Sequence, residues 1–187
     1  HDGFDVTDPV GATAQLRTLE GAFDYILVAL GVLAAKGGAP EKTMRTFDAA
    51  QAQAVYAVNT FGPALVMAQL PRLLPRDRAA VFCCVSAKVG SIGDNEIGGW
   101  MTYRSSKAAL NQMLRTTSIE LARTHPKAAA IALHPGTVET AFTKNYQDRH
   151  PTVPAAEAGM DIVNTLLSLA PEQTGRFVDR FGKDLPW

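Results

Sequence analysis

Four short apolar runs alternate with longer helical segments along this chain, and this alternation is the feature that most restricts its fold. The predicted strands are residues 24–32, 79–86, 128–133 and 175–180. The predicted helices are residues 9–19, 43–74 (interrupted near Pro63 and broken at Pro71 and Pro75), 103–123 and 155–169. Strands that alternate with helices form a parallel sheet covered by helices on both faces. We therefore predict an α/β fold with a doubly wound parallel sheet.

Composition narrows the range of partners. The chain has 187 residues, enough for a single domain with a sizeable core, and its formal net charge is zero. That balance suggests neither a nucleic-acid partner nor a membrane partner. Cys83 and Cys84 are neighbours in a predicted strand and face opposite ways, which argues against a disulfide or a metal site. The expected location is the cytoplasm.

Several candidate site residues fall where the predicted strands end. Gly31, Ser86 and the pair Pro135-Gly136 come at the ends of three strands, and Tyr103 follows shortly after the second. Ligands of open parallel sheets bind at the carboxyl ends of the strands. We therefore predict the functional site at this edge of the sheet.

Tyr103 and Lys107 stand four residues apart, and residues 104–120 contain no Gly or Pro. Four residues are about one helical turn, so both side chains share a helix face. An ammonium group beside a phenol favours the phenolate and lowers the tyrosine pKa, which suits a proton donor and acceptor. The same spacing also occurs on solvated helix faces, so the pair carries weight only together with its surroundings.

Four stretches resemble the short-chain dehydrogenase/reductase family, and within it the subgroup related to the C-factor signalling protein is the closest match. They are residues 89–95 (VGSIGDN), 98–100 (GGW), 103–111 (YRSSKAALN) and 134–140 (HPGTVET). The resemblance implies a Rossmann-type fold with NADP or NAD as cofactor. It also implies hydride transfer between that cofactor and a small-molecule carbonyl or alcohol substrate.

The resemblance further implies roles for single residues. Tyr103 is the expected general acid, and Lys107 is expected to lower its pKa and to hold the nicotinamide ribose. Asp5 and Val6 match the adenine contact, although Asp5 also suits a turn or a helix cap. The other residues matched to cofactor contacts are Ala29, Leu30, Gly31, Pro135, Gly136, Val138 and Thr140. Gly136 is equally a candidate turn glycine.

Asn59 matches the fourth catalytic residue of the family, and Pro63 gives a physical reason for its position. In an α-helix the N–H of one residue bonds the carbonyl four residues earlier. Pro63 has no N–H, so the carbonyl of Asn59 loses that partner. In the family such a carbonyl holds a water that links the active-site lysine to solvent. The alternative is an ordinary proline kink satisfied by solvent.

The chain departs from the family pattern beside the predicted site. The usual Asn-Asn-Ala-Gly is replaced by Val28-Ala29-Leu30-Gly31, so only backbone contacts and Gly31 carry over. Ala87 stands where the catalytic serine is expected, and Ser86 precedes it. Strand alternation directs Ser86 away from the side of Ala87 unless the strand has already ended. Three possibilities stay open: Ser86 is the catalytic serine, Ser91 replaces it, or the substrate oxygen lacks a second donor.

The glycine-rich turn that holds a pyrophosphate in such folds has no match in the sequence. Asp5 and Val6 match a loop after the third strand of the family. We therefore expect residues 1–187 to form one dinucleotide-binding catalytic domain that lacks its N-terminal strands and glycine-rich loop.

Two functions follow from these expectations. The first is an NAD(P)-dependent reductase whose substrate pocket is lined by residues 92–100, with a mobile lid at residues 141–154. The alternative is a cofactor-binding signalling or scaffold protein of the C-factor type with little turnover. The long apolar helices around Asn59 and Tyr103 also favour a homodimer or homotetramer.

Overall fold

The structure is a computed structural model that describes residues 3–144 and 151–187. Within them four strands form one sheet in the order β1-β2-β3-β4, and every neighbouring pair is parallel. The strands are β1 (Tyr25–Val28), β2 (Ala80–Val85), β3 (Ala128–His134) and β4 (Phe177–Asp179). The predicted parallel α/β arrangement is confirmed, although β1 and β4 are shorter than expected.

Six α-helices connect and flank these strands in the described residues. They are α1 (Pro9–Arg17), α2 (Ala49–Tyr56), α3 (Gly62–Met67), α4 (Leu70–Leu73), α5 (Met101–Ala122) and α6 (Ala155–Ser168). Aspartates begin two of them. The carboxylate of Asp8 accepts from Gly11 N–H at the start of α1, and that of Asp48 accepts from two N–H groups at the start of α2.

The predicted helical region 43–74 is a series of shorter pieces. A π-helical turn, Ala57–Phe61, separates α2 from α3. Pro63 and Pro71 lie in the first turns of α3 and α4, where the missing proline N–H has no helical partner to lose. The break predicted at Pro71 is therefore the start of a helix.

The two faces of the sheet pack against different helices because neighbouring strand residues point in opposite directions. Phe82, Cys84 and Ala130 face a cluster that includes residues of α1, α3, α4 and α5. Val81, Cys83 and Ile131 face a cluster that includes Leu166 of α6. Cys83 and Cys84 are free thiols on opposite faces, as the alternation predicts.

Three loops meet at the carboxyl edge of the sheet, following β1, β2 and β3. The longest helix, α5, starts directly after the second of these loops and packs back against β3. In the part of the chain that the structure describes, no helix is long and apolar enough to cross a membrane. The same residues contain no His, Cys, Asp and Glu cluster suited to a metal ion.

Candidate active site

Lys107 of α5 joins the carboxyl ends of two neighbouring strands. Its Nζ donates hydrogen bonds to the carbonyl of Val85, at the end of β2, at 3.0 Å and to that of Leu30, beyond β1, at 3.3 Å. The residue is 2 % exposed, and no carboxylate of the described residues lies within ion-pair distance of it. Burial therefore lowers the pKa of Lys107 from 10.5 to about 8. A buried cation with a shifted pKa at a sheet edge marks a candidate functional site.

Tyr103 lies one turn before Lys107 and is only 6 % exposed. Its ring meets the edge of Trp100 at a centroid distance of 6.2 Å and the ring of Phe142 at 6.1 Å. Burial raises the pKa of Tyr103 above its ordinary value of 10.0. The net shift of the Tyr103 pKa is therefore opposite to the lowering expected from the neighbouring ammonium group. The physical reason is that aromatic side chains enclose the phenol while the ammonium group bonds main-chain carbonyls.

Asn59 lies in the π-helical turn and connects the loop after β1 to α5. Its Oδ1 accepts from Val32 N–H at 2.7 Å, and its Nδ2 donates to Val32 O at 2.8 Å and to Ser106 Oγ at 3.0 Å. The adjacent Thr60 hydroxyl donates to the carbonyl of Ser106 at 2.9 Å. Asn59 is completely buried, so each of these bonds replaces water that the amide has lost. The sequence indicated a helix defect near Pro63, and single π-helical turns are frequent at functional sites.

Ser86 is turned toward α5. Its hydroxyl donates to Oδ1 of Asn111 at 2.6 Å, and it is buried. Ser91 is also engaged, since its hydroxyl donates to the carbonyl of Trp187 at 3.1 Å and accepts from Asp94 N–H at 3.1 Å. Ala87, between them in the chain, carries only a methyl group and is 8 % exposed. Both serine hydroxyls named as candidates therefore already have protein partners.

Asp5 and Val6 lie before α1 and have different environments. The Asp5 carboxylate accepts from the N–H of Thr7 at 2.8 Å and from its hydroxyl at 2.7 Å. The hydrogen bond from the Thr7 hydroxyl is the main reason why the pKa of Asp5 lies below its ordinary value, and the bond from the Thr7 N–H adds to this effect. Val6 is buried against Gly62, where an added Cβ would lie 2.9 Å from the Cβ of Val6. Asp5 thus forms the turn that its residue type favours, and its carboxylate stays exposed.

The loop after β3 contains the matched residues Pro135, Gly136, Val138 and Thr140. Gly136 has a φ of +82°, a conformation that favours glycine, and an added Cβ would meet the guanidinium of Arg180. Val138 forms a parallel bridge with Val153, which lies just before α6. The positive φ is a conformational reason for glycine at this position, and a place of Gly136 beside a cofactor stays a prediction.

Three side chains near Tyr103 were not singled out from the sequence, although Trp100 belongs to the predicted pocket segment 92–100. Trp100 and Phe142 contact its ring, and Phe142 belongs to the predicted lid, whose residues 145–150 lie outside the described part of the chain. The Glu41 carboxylate accepts hydrogen bonds from the N–H and hydroxyl of Thr102 in the first turn of α5. An acidic group is favoured there by the helix dipole. Glu41 and Thr102 are 61 positions apart in the chain, so no local sequence pattern indicates this contact.

The family model described as short chain dehydrogenase matches residues 3–151. This range covers β1, β2, β3 and α5, and therefore every residue of the candidate site described so far except Val153, Arg180 and Trp187. The chain belongs to the short-chain dehydrogenase family. The parallel sheet with helices on both faces is the Rossmann-like fold expected of a family member.

Two curated short-chain dehydrogenase relatives illustrate the similarity. The 1-hydroxy-2-glutathionyl-2-methyl-3-butene dehydrogenase of Rhodococcus sp. (strain AD45) is 33% identical over 130 residues, which are 70% of this chain and 56% of that protein. The chain thus spans just over half the length of this relative. C-signal of Myxococcus xanthus is 31% identical over 141 residues, which are 75% of this chain and 81% of that protein. The second relative agrees with the predicted likeness to the C-factor subgroup.

Solved structures of short-chain dehydrogenases share the fold. A putative short-chain dehydrogenase/reductase from Burkholderia multivorans with bound NADP superimposes with a TM-score of 0.81 at 28% sequence identity. The match covers 98% of this chain and 75% of that structure.

Proposed function

We propose that this protein is an oxidoreductase that transfers a hydride between NAD(P) and the carbonyl or alcohol carbon of a small molecule. The observation that carries the proposal is the position of Lys107, whose ammonium group bonds the ends of β1 and β2 one turn after Tyr103. Membership of the short-chain dehydrogenase family supports the reaction type. The NADP in the Burkholderia multivorans structure supports the cofactor class.

The strand ends fit a nicotinamide cofactor. At Gly31 an added Cβ would lie 3.4 Å from Nζ of Lys107 and 3.7 Å from Oδ1 of Asn59. The missing side chain thus leaves space directly beside the ammonium group, which suits a ribose hydroxyl. When bound there, the cofactor supplies or accepts the hydride. Besides Gly31, the residues proposed to contact it are Asp5, Val6, Ala29, Leu30, Tyr103, Lys107, Pro135, Gly136, Val138 and Thr140.

Tyr103 is the proposed proton donor to the carbonyl oxygen during reduction and the proton acceptor from the alcohol during oxidation. Its raised pKa keeps the phenol protonated near neutral pH, which suits the reductive direction. The Lys107 ammonium group stabilises the phenolate that remains after proton transfer, because opposite charges attract strongly in a buried site. Trp100 and Phe142 enclose the ring and exclude water from it.

Asn59 is the proposed positioning residue of this site. Its side chain fixes the loop after β1 and the α5 turn between Tyr103 and Lys107 in one network. The π-helical turn places Asn59 there, and a water held by its carbonyl, linking Lys107 to solvent, stays a prediction.

We further propose that no serine hydroxyl binds the substrate oxygen. The hydroxyls of Ser86 and Ser91 are bonded to Asn111 and Trp187, and Ala87 has no polar atom in its side chain. Tyr103 is then the side-chain donor to that oxygen. This arrangement predicts slower turnover than a site with two donors, since removing one such donor typically costs about 10²–10³ in rate.

The alternative of a cofactor-binding signalling or scaffold protein with little turnover is less well supported. The C-signal relative is the reason to consider it. Tyr103 and Lys107 are both present, both buried and both on one face of α5, an arrangement that a scaffold does not need.

The test is replacement of the phenol. Tyr103→Phe removes only the hydroxyl, so we expect a loss of at least about 10² in kcat with little change in cofactor affinity. Tyr25→Phe is the matched control, because Tyr25 lies half-exposed on β1. NADPH and NADH oxidation would be followed with a panel of aldehydes and ketones. Equal turnover by Tyr103→Phe and the unsubstituted protein would overturn the assignment.

A further inference from the structure

Residues 91–100, the second part of the segment between β2 and α5, are called the substrate loop below because they lead into Trp100 and Tyr103. Its first residues are held by one oxygen atom. The carbonyl of Trp187 accepts hydrogen bonds from Ile92 N–H at 3.1 Å, from Gly93 N–H at 3.0 Å and from the Ser91 hydroxyl at 3.1 Å. These three donors are consecutive residues that lie more than 90 positions before Trp187 in the chain.

Trp187 is itself anchored to the sheet. Its indole stacks on the ring of Phe177 at a centroid distance of 5.6 Å and an angle of 28°. Phe177 is a buried residue of β4. The N–H of Leu185 donates to the carbonyl of Phe177 at 2.8 Å, which ties the segment before Trp187 to the same strand. The carbonyl of Trp187 is thus fixed relative to the core and not merely to the loop.

The other end of the substrate loop has a separate anchor. The N–H of Trp100 donates to the carbonyl of Glu41 at 2.6 Å, and the carboxylate of Glu41 accepts from Thr102. Between the two anchors the loop is open to solvent, and Ile97 is 91 % exposed. Gly98 and Gly99 have positive φ values of 69° and 68°. A loop with fixed ends and an exposed middle keeps its position while its centre adapts to a ligand.

We propose that Trp187 is a positioning residue for substrate binding, because its carbonyl fixes the start of the substrate loop, whose other end, Trp100, contacts the ring of the proton donor Tyr103. This inference rests on the proposed function and assigns a specific residue to it. The proposed cofactor contacts come from residues 5 and 6, from the loops after β1 and β3, and from Tyr103 and Lys107. None of these residues donates the hydrogen bonds that the Trp187 carbonyl accepts. Loss of the anchor therefore weakens substrate binding and spares cofactor binding.

The experiment compares Trp187→Ala with Trp187→Phe in this chain. Alanine removes the stack on Phe177, and phenylalanine retains a ring that stacks. For Trp187→Ala we expect the Ile92 and Gly93 amide protons to exchange about tenfold faster, with the Ala132 amide of β3 nearly unchanged. The KM for the carbonyl substrate rises about tenfold, while kcat and the Kd for NADPH change less than threefold. Trp187→Phe restores both the exchange and the KM.

Two results would overturn the proposal. One is unchanged exchange at Ile92 and Gly93 in Trp187→Ala. The other is an equal rise of exchange at Ala132 or of the Kd for NADPH, which would show that Trp187 serves general stability only. If the unsubstituted protein turns over no carbonyl, the proposed function fails. The proposal for Trp187 as a substrate-positioning residue then fails with it, and the exchange data separately show whether the loop anchor exists.

Discussion

The hydroxyl of Ser86 donates to Oδ1 of Asn111 at 2.6 Å, and both residues are buried. This bond joins the end of β2 to α5 one turn beyond Lys107. In addition, the N–H of Ser86 donates to the carbonyl of Leu133 in β3 at 2.7 Å, so the main chain of Ser86 still follows the direction of β2. Ser86 is therefore a continuation of the sheet, and its side chain belongs to the packing between β2 and α5.

The first prediction concerns the position next to Ser86. Ala87→Ser adds a hydroxyl at the residue where the family pattern expects the catalytic serine, and we expect kcat/KM for carbonyl reduction to rise about tenfold or more. Ser86→Ala, the matched control, is expected to change kcat/KM less than about threefold, because its hydroxyl is bonded to Asn111. Steady-state kinetics with one aldehyde decide the matter. A large loss in Ser86→Ala together with no gain in Ala87→Ser would make Ser86 the catalytic serine.

The second prediction concerns stability at Asn59. Asn59→Ala leaves the N–H and carbonyl of Val32 without their side-chain partner in a partly buried region. Each unsatisfied group costs about 1–3 kcal/mol, so the free energy of unfolding should fall by at least about 2 kcal/mol. Asn95→Ala removes an exposed amide that bonds Gly98 N–H, and its effect should stay within about 0.5 kcal/mol. Urea denaturation of both variants measures the difference, and equal losses would contradict the role of Asn59.

The third prediction is the oligomeric state. A groove of about 610 Å³ runs between α3 and α5, and apolar side chains such as Met67 and Met113 line it. Phe61, at the end of the π-helical turn before α3, and Ile119 of α5 are about half exposed, at 52% and 47%. A homodimer or homotetramer would bury this surface. Light scattering at micromolar concentration should show an oligomer, and Met113→Glu should dissociate it; a monomeric unsubstituted protein would contradict the prediction.

The fold was largely predictable because its signals are local. Apolar runs of strand length located all four strands, and strand alternation correctly placed Cys83 and Cys84 on opposite faces. The π-helical turn at Asn59 was not predicted, since Pro63 indicates a defect without showing how the helix accommodates it. Pro71 was misread for a related reason: a proline that ends one helix also suits the first turn of the next.

The site was predictable only in part. Spacing placed Tyr103 and Lys107 on one face of α5, and resemblance supplied Asn59. The direction of the Tyr103 pKa shift was wrong, because spacing gives the nearby charge but not the burial of the phenol. Trp187 was missed entirely, since its contacts with Ser91 join residues 96 positions apart. Contacts of that length depend on the packed sheet and leave no periodic signal in the sequence.

The fourth prediction is the pH dependence that Lys107 imposes. Burial lowers its pKa to about 8, so the ammonium group is present below that pH and is lost as the pH rises through it. Tyr103 stays protonated over the same range, because burial raises its pKa. We therefore expect kcat/KM for reduction to be constant from about pH 6 to 7 and to fall up to tenfold per unit above about pH 8. A descending limb that begins near pH 10 would show a lysine with its ordinary pKa.

Through Lys107, the free energy of unfolding should rise with pH, whereas activity is expected to fall with pH. Its folded pKa of about 8 lies below the ordinary 10.5, so between these values the unfolded chain binds the extra proton. The free energy of unfolding then rises with pH by up to about 1.4 kcal/mol per unit through this group. Burial raises the pKa of Cys83, Cys84 and Tyr103, so these groups lower the free energy of unfolding as the pH rises into the alkaline range.

The difference in free energy of unfolding between the unsubstituted protein and Lys107→Met isolates the contribution of the lysine. Urea denaturation at pH 7.5, 8.5 and 9.5 should show this difference shifting steadily in favour of the unsubstituted protein, and a constant difference would mean that Lys107 is not destabilised by burial.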